Sequence, residues 1–111
     1  MNCIFCDIAT GHSPAAVEYE DEQIIAFQDI NPAAPVHILI IPKKHIASVA
    51  EANEVDIALF GRLIFIAKKL ANERHLKGYK LIFNVGKDGG QVVFHVHLHL
   101  IGGWGKPAKA V

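Results

Sequence analysis

The chain has 111 residues, which fits one domain over 1–111 and one hydrophobic core. Eleven Lys and Arg balance eleven Asp and Glu, so no overall positive field exists to hold nucleic acid or an anionic membrane. The opening residues lack a secretory pattern and no apolar run nears the ~18 residues of a membrane helix, so the expectation is a cytoplasmic protein with no nucleic-acid or membrane partner.

In chain order, Cys3 to Ile8 reads as a short helical turn closed near Gly11. Ala16 to Tyr19 and Gln23 to Gln28, parted by Glu20-Asp21-Glu22, predict a β-hairpin. Asn31-Pro32 and Pro35 mark a turn. Val36 to Ile41 is β-branched and almost wholly apolar, a central strand stopped by Pro42. Asn53 is placed to cap a helix from about Glu54 to His75. That helix carries Ile57, Leu59, Phe60, Leu63, Ile64, Phe65 and Ile66 almost all round, whereas a stripe of ~100° suffices for one core. The surplus predicts a second covered face and therefore a homodimer. Tyr79 to Asn84 is the next strand, Val85 to Gln91 a glycine-rich loop, and Val93 to Ile101 the last strand. This order predicts an α+β fold: a mostly antiparallel sheet of about five strands with one long helix on one face.

Histidine is the unusual residue, with seven copies, three of them in His95-Val96-His97-Leu98-His99. Strict alternation on a strand puts all three imidazoles on one face, about 6.6 Å apart at ~3.3 Å of rise per residue. Such a face suits a metal or a phosphate. The preceding loop favours phosphate, because Gly86, Gly89 and Gly90 let backbone N–H groups close around an anion. His97, flanked on both sides, is then the natural nucleophile: a neutral imidazole with Nδ1–H held and the Nε2 lone pair presented. His99 and the loop amides would stabilise the phosphoryl oxygens.

Cys3-x-x-Cys6 is open to three readings: a redox pair, two ordinary thiols, or half of a structural zinc site. His12 and His75 read as surface residues, Lys43 and Lys44 as a solvated pair at a strand end, and Trp104 as either a lid over the active site or a packing residue of the tail.

His-Val-His-Leu-His-Leu-Ile resembles the histidine triad signature, and the chain is similar to the Hint-type nucleoside phosphoramidate hydrolases of that superfamily. The likeness runs from Cys3-Ile4-Phe5-Cys6 to Gly102-Gly103 through Phe27-Gln28-Asp29-Ile30-Asn31-Pro32, Pro42-Lys43-Lys44-His45 and Asp88-Gly89-Gly90-Gln91. It implies cleavage of the P–N bond of a purine nucleoside 5′-phosphoramidate through a nucleotidyl adduct on His97, with no cofactor for catalysis. His37 would lie beside the triad. His99, Asn84, Gly90, Gln91 and Val92 would contact the phosphate or leaving group, and Asp29 the ribose hydroxyls. Phe5, Ile8, Phe27, Ile30 and Leu39 would line the base slot. His45 and His95 would complete a zinc site with Cys3 and Cys6, well away from the chemistry of His97. A homodimer is the family's usual assembly. Val92 stands where relatives can have serine, so a hydroxyl near the phosphate is missing, and the tail after Gly103 is idiosyncratic. A dinucleoside polyphosphate hydrolase, a nucleotidyl transferase of the same fold, or a binding module with vestigial catalysis are the alternatives.

Overall fold

The computed structural model describes residues 2–111. Its first element, α1 (Ile4–Ala9), is a short helix that begins at Cys3. The expected hairpin follows as β1 (Val17–Glu20) and β2 (Ile24–Gln28), antiparallel, with Val17 opposite Phe27. Asp21 builds its turn: Oδ1 accepts from the N–H groups of Gln23 and Ile24, both at 2.8 Å, the local bonding that suits Asp to turns.

β3 (Val36–Pro42) is central, between β2 and β5 (Leu98–Gly102), while β4 (Tyr79–Ile82) forms the far edge, giving the order β1-β2-β3-β5-β4. Every neighbouring pair is antiparallel. Pro42 closes β3 from within rather than standing beyond it. It lies opposite Ile24 at the last rung, where a missing N–H costs the ladder little. β4 stops at Ile82, short of Asn84, and β5 starts at Leu98, five residues later than the sequence pattern suggests. His95 and His97 therefore precede the last strand.

Helix α2 (Ile57–Glu73) is entered through a 3₁₀ turn at Glu54–Asp56. The Asn53 N–H donates to Asp56 Oδ2 at 2.9 Å, and Lys44 Nζ reaches Oδ1 at 2.6 Å. The backbone bond first, and then the ammonium, hold this carboxyl below its usual range. The helix ends before His75, which takes the left-handed conformation at φ 56°. There the N–H of Leu76 bonds Ala71 O and that of His75 bonds Asn72 O, both at 3.0 Å, satisfying the last carbonyls.

Period-two alternation sorts the sheet's side chains. Ile24, Ala26, Ile38, Ile40, Leu98 and Leu100 face α2, packing on Leu63, Ile66, Ala67, Leu70 and Ala71. Ile25, Phe27, Leu39 and Ile41 face the other way and pack on Cys3 and Phe5 of the N-terminal segment. The outer side of α2 leaves Ile57, Ile64 and Phe65 exposed, with Phe65 66% accessible. No helix among the described residues is long and apolar enough to cross a membrane.

Candidate active site

The face of the sheet opposite α2 carries two groups of histidines, and backbone atoms decide which ring nitrogen each one offers. His37 on β3 and His99 on β5 are diagonal neighbours, since His37 pairs with Ile101 and Leu39 with His99. His37 Nε2 and His99 Nδ1 are 2.9 Å apart. The Ala33 N–H, which can only donate, reaches His37 Nδ1 at 2.9 Å. Neutral His37 therefore carries its proton on Nε2 and gives it to His99 Nδ1. His99 must then keep its own proton on Nε2, and that buried atom has no hydrogen-bond partner. An unpaired buried donor costs of order 1–3 kcal/mol, so it is a site waiting for an acceptor.

His97 is fixed by the same logic. Its Nδ1 lies 2.8 Å from the His95 carbonyl oxygen, which can only accept, so Nδ1 holds the proton and Nε2 holds the lone pair. The ring centres of His97 and His99 are 4.8 Å apart, closer than a flat strand would put them, because His97 precedes the ladder. Phe5 packs edge-on against His97 at 5.1 Å. Burial lowers the pKa of His97 below the ordinary histidine value, outweighing the opposing pull of the His95 carbonyl. For His99, burial and then the neighbouring His97 and His37 lower it to about 4. Both rings are neutral at pH 7, the state a nucleophile and an uncharged donor require.

Asp29 closes this group. Its Oδ1 accepts from the Asn31 N–H at 2.8 Å, an Asx turn that leads through Pro32 to the Ala33 amide. Its Oδ2 lies 3.4 Å from His37 Nε2. Because His37 Nδ1 accepts from Ala33, this contact joins a carboxylate to a neutral imidazole.

The third triad histidine turns elsewhere. His95 is fully buried; its Nε2 donates to the Pro42 carbonyl at 2.7 Å, leaving a lone pair on Nδ1. That atom faces Cys3 Sγ at 3.4 Å, Cys6 Sγ at 3.5 Å and His45 Nδ1 at 3.2 Å, and His45 Nδ1 lies 3.3 Å from Cys6 Sγ. A tetrahedron with bonds of ~2.3 Å to sulfur and ~2.05 Å to nitrogen has N–N and N–S edges of roughly 3.3–3.6 Å. The cluster fits a tetrahedral soft cation. Without one, burial and then Cys3 push the Cys6 thiol up to about 11.

This cluster is not remote from His97, contrary to the sequence expectation. The carbonyl that holds His97 Nδ1 belongs to His95 itself, and Phe5, between the two cysteines, touches both His95 at 6.1 Å and His97 at 5.1 Å. Ile46, next to His45, accepts from the Val96 N–H at 2.6 Å.

The glycine-rich loop also differs from expectation. The N–H groups of Gly89, Gly90 and Gln91 donate within the loop, to Gly86, Lys87 and Gly86 carbonyls, so they do not form a free anion nest. Gly90 turns the chain at φ 88°, and Asn84 Nδ2 clamps it through Gly89 O at 3.0 Å. Gln91 is a buried staple: Oε1 accepts from the Gly86 N–H at 2.9 Å, and Nε2 donates to Ala47 O at 2.7 Å and Val93 O at 3.0 Å. The Val92 N–H meets no acceptor among the described residues, and its side chain is exposed.

Of the base-slot residues, Phe5, Phe27 and Leu39 form one apolar wall with Ile8 at its rim. Ile30 stands off at 90% exposure on the loop after Asp29 and is not part of that wall. Lys43 and Lys44 are each paired, with Glu20 at 2.7 Å and Asp56 at 2.6 Å. His12 and His75 are exposed, as expected. The features the sequence did not disclose are backbone groups: the Pro42 and His95 carbonyls and the Ala33 N–H. Only the last had a signal, in the Asp29-x-Asn31-Pro32 turn.

Residues 2–107 match the family model described as "Scavenger mRNA decapping enzyme C-term binding". The chain is 46% identical over 102 residues to Protein HitA of Neisseria gonorrhoeae, covering 91% of this chain and 95% of that protein. The chain belongs to the histidine triad superfamily. Among solved structures of histidine triad proteins, a HIT family hydrolase from Legionella pneumophila superposes with a TM-score of 0.90 at 54% identity, over 92% of this chain and 93% of that one. A Zn-bound histidine triad family protein from Mycobacterium smegmatis gives 0.81 at 35% identity, over 92% and 75%. The fold, a five-stranded antiparallel sheet with one long helix, is the histidine triad fold.

Proposed function

We propose that this histidine triad protein hydrolyses the P–N bond of purine nucleoside 5′-phosphoramidates, or of related acyl nucleotides, through a covalent adduct on His97. One observation carries the reading: a lone pair on His97 Nε2, fixed by the His95 carbonyl, beside an unpartnered donor on His99 Nε2. In the first step the Nε2 lone pair attacks the α-phosphorus. The P–N bond breaks, and the amine leaves with a proton from solvent. In the second step water attacks phosphorus, the P–Nε2 bond breaks, the water's proton is released and the nucleoside monophosphate departs. His99 Nε2–H donates to a non-bridging oxygen throughout, with the Val92 N–H as a second donor and Asn84 holding the loop. Asp29 accepts from the ribose hydroxyls. Phe5, Ile8, Phe27 and Leu39 wall the base, and Ile30 covers it from the loop.

Zinc held by Cys3, Cys6, His45 and His95 would supply a crosslink between the N-terminal segment and the triad. The greasy outer face of α2 and the free edge of β4 support a homodimer, as an apolar patch of this kind marks an interface; a monomer in dilute sedimentation runs would refute it.

The test is to mix the protein with an AMP–amine conjugate and follow AMP release, with mass spectrometry for a nucleotidyl adduct in a His99→Gln variant. His97→Ala should lower turnover by at least ~10³-fold with the fold intact. AMP release undiminished in His97→Ala, or no adduct and no AMP from the natural sequence, would reject the mechanism.

A further inference from the structure

Cys3 and Cys6 are the only cysteines of the chain, and the reaction at His97 uses neither thiol. Cys3 stands just before α1 in extended backbone (φ −136°, ψ 112°), and its Sγ accepts from the Cys6 N–H at 3.2 Å. That bond draws the two residues together, and their sulfurs lie within 4.8 Å of each other. A disulfide has an S–S bond of ~2.05 Å, so the sulfurs have less than ~3 Å to close. Cys3 is outside the helix and can make that move without unwinding α1. Exposure separates the pair: Cys3 is 8% accessible, whereas Cys6 is half-buried. Cys6 is the sulfur that an oxidant in solvent meets first.

A thiolate, not a thiol, attacks an O–O bond, and a thiol that ligates a cation is already deprotonated. We propose, on the footing of the zinc site inferred above, that Cys6 is an oxidation site for hydroperoxides, with Cys3 as its resolving partner, and that the disulfide they form dismantles the four-ligand cluster. The Cys6 thiolate attacks one peroxide oxygen; the O–O bond breaks, and the other oxygen leaves and takes a proton to give water or an alcohol. The Cys3 thiolate then attacks the sulfur of the Cys6 sulfenic acid. The S–O bond breaks, hydroxide leaves and is protonated to water, and the S–S bond forms. Two electrons pass from the sulfurs to the peroxide oxygens. His45 Nδ1 and His95 Nδ1 remain as two ligands where four stood, too few to retain a structural cation. Phe5 lies between the cysteines in the chain and packs on Phe27 at 5.4 Å and on His97 at 5.1 Å, so closing the disulfide moves a wall of the base slot.

The zinc-loaded protein is treated with a small excess of hydrogen peroxide. Thiols are counted after denaturation, with and without a reductant, and freed zinc is followed with a chromogenic chelator. Both thiols should disappear together, about one zinc per chain should be freed, and reductant with added zinc should restore both. A cyclic diketone that traps sulfenic acids, present during oxidation, should label Cys6 and not Cys3, as located by fragment mass. The affinity for AMP should fall about tenfold in the oxidised protein and return on reduction. The thiol and zinc readouts need no nucleotide, so failure of the hydrolysis reading would leave them intact. Reduced protein that holds no zinc when zinc is supplied would refute the zinc site and this proposal together. Thiols that survive peroxide, oxidation that reductant does not reverse, a label on Cys3, or zinc retained after the disulfide forms would overturn the proposal and leave the zinc site standing. Equal AMP affinity in the two forms would overturn the link through Phe5.

Discussion

Two histidine clusters face the same side of this sheet, and two residues of sequence separate the members that matter most. His95 offers Nδ1 to a pair of thiols, while His97 offers Nε2 to open space. Their burial is similar, and burial lowers the pKa of both. What differs is which ring nitrogen a carbonyl oxygen claims: Nε2 of His95 by Pro42, Nδ1 of His97 by His95. Identical side chains on one short segment thereby offer opposite nitrogens, which suits one to the proposed ligand role and the other to the proposed nucleophilic one. Backbone acceptors decide which nitrogen is free.

The comparison breaks most visibly if the cysteine side is dismantled. Cys3→Ser/Cys6→Ser, or a strong chelator, should remove bound zinc and lower the unfolding midpoint by about 10 °C. Because the His95 carbonyl and Phe5 reach His97, nucleotide affinity should fall as well. Unchanged metal content, midpoint and affinity would show that the clusters are separate and the cysteines inert. A smaller effect should follow on the other side. His37→Ala removes the donor that sets the His99 tautomer, so kcat should drop by about 10–100-fold with KM little changed. His37→Gln, whose amide can donate to His99 Nδ1, should recover part of it; no recovery would point to a different role.

The next effect is on stability against pH. The pKa of His99 falls from 6.5 when unfolded to about 4 when folded. Between these values the unfolded chain binds the proton and the folded one does not, so stability falls as pH drops from 6.5 towards 4 and levels off below. After discount for its contact with solvent, the loss is on the order of 1–2 kcal/mol. Urea midpoints for the protein and a His99→Gln variant, compared at pH 7 and pH 4.5, measure it; equal losses in both would assign the effect elsewhere. The smallest change is expected from Val92→Ser, which adds a hydroxyl on the exposed loop. The phosphoramidate rate should rise a few-fold, with stability altered by less than about 0.5 kcal/mol.

Much of the scaffold was legible. The Val36–Pro42 strand, the hairpin around Asp21 and the greasy helix after Asn53 follow from branching, turn chemistry and period. His97, His99, His37 and Asp29 stand out in the sequence and meet in one place. Three things were hidden. Alternation continued backwards from Leu98 puts His95 on the histidine face, where it lies, but implies a strand over residues that pair with none. The glycines read in the sequence as a free anion cradle, whereas Gly89 and Gly90 spend their amides closing the loop. Ile30 stands 90% exposed on the loop after Asp29, apart from the wall formed by Phe5, Phe27 and Leu39. In each case the deciding residues lie outside regular structure, where side-chain pattern does not encode the course of the main chain.

The partner of His97 Nδ1 is an uncharged carbonyl rather than a carboxylate. A carboxylate there would neutralise the cation formed when phosphorus joins the ring, making the intermediate comfortable and slow to discharge. A carbonyl orients the imidazole while leaving that positive charge uncompensated. In the proposed reaction the substituted ring therefore stays a good leaving group, and water finds it primed for release.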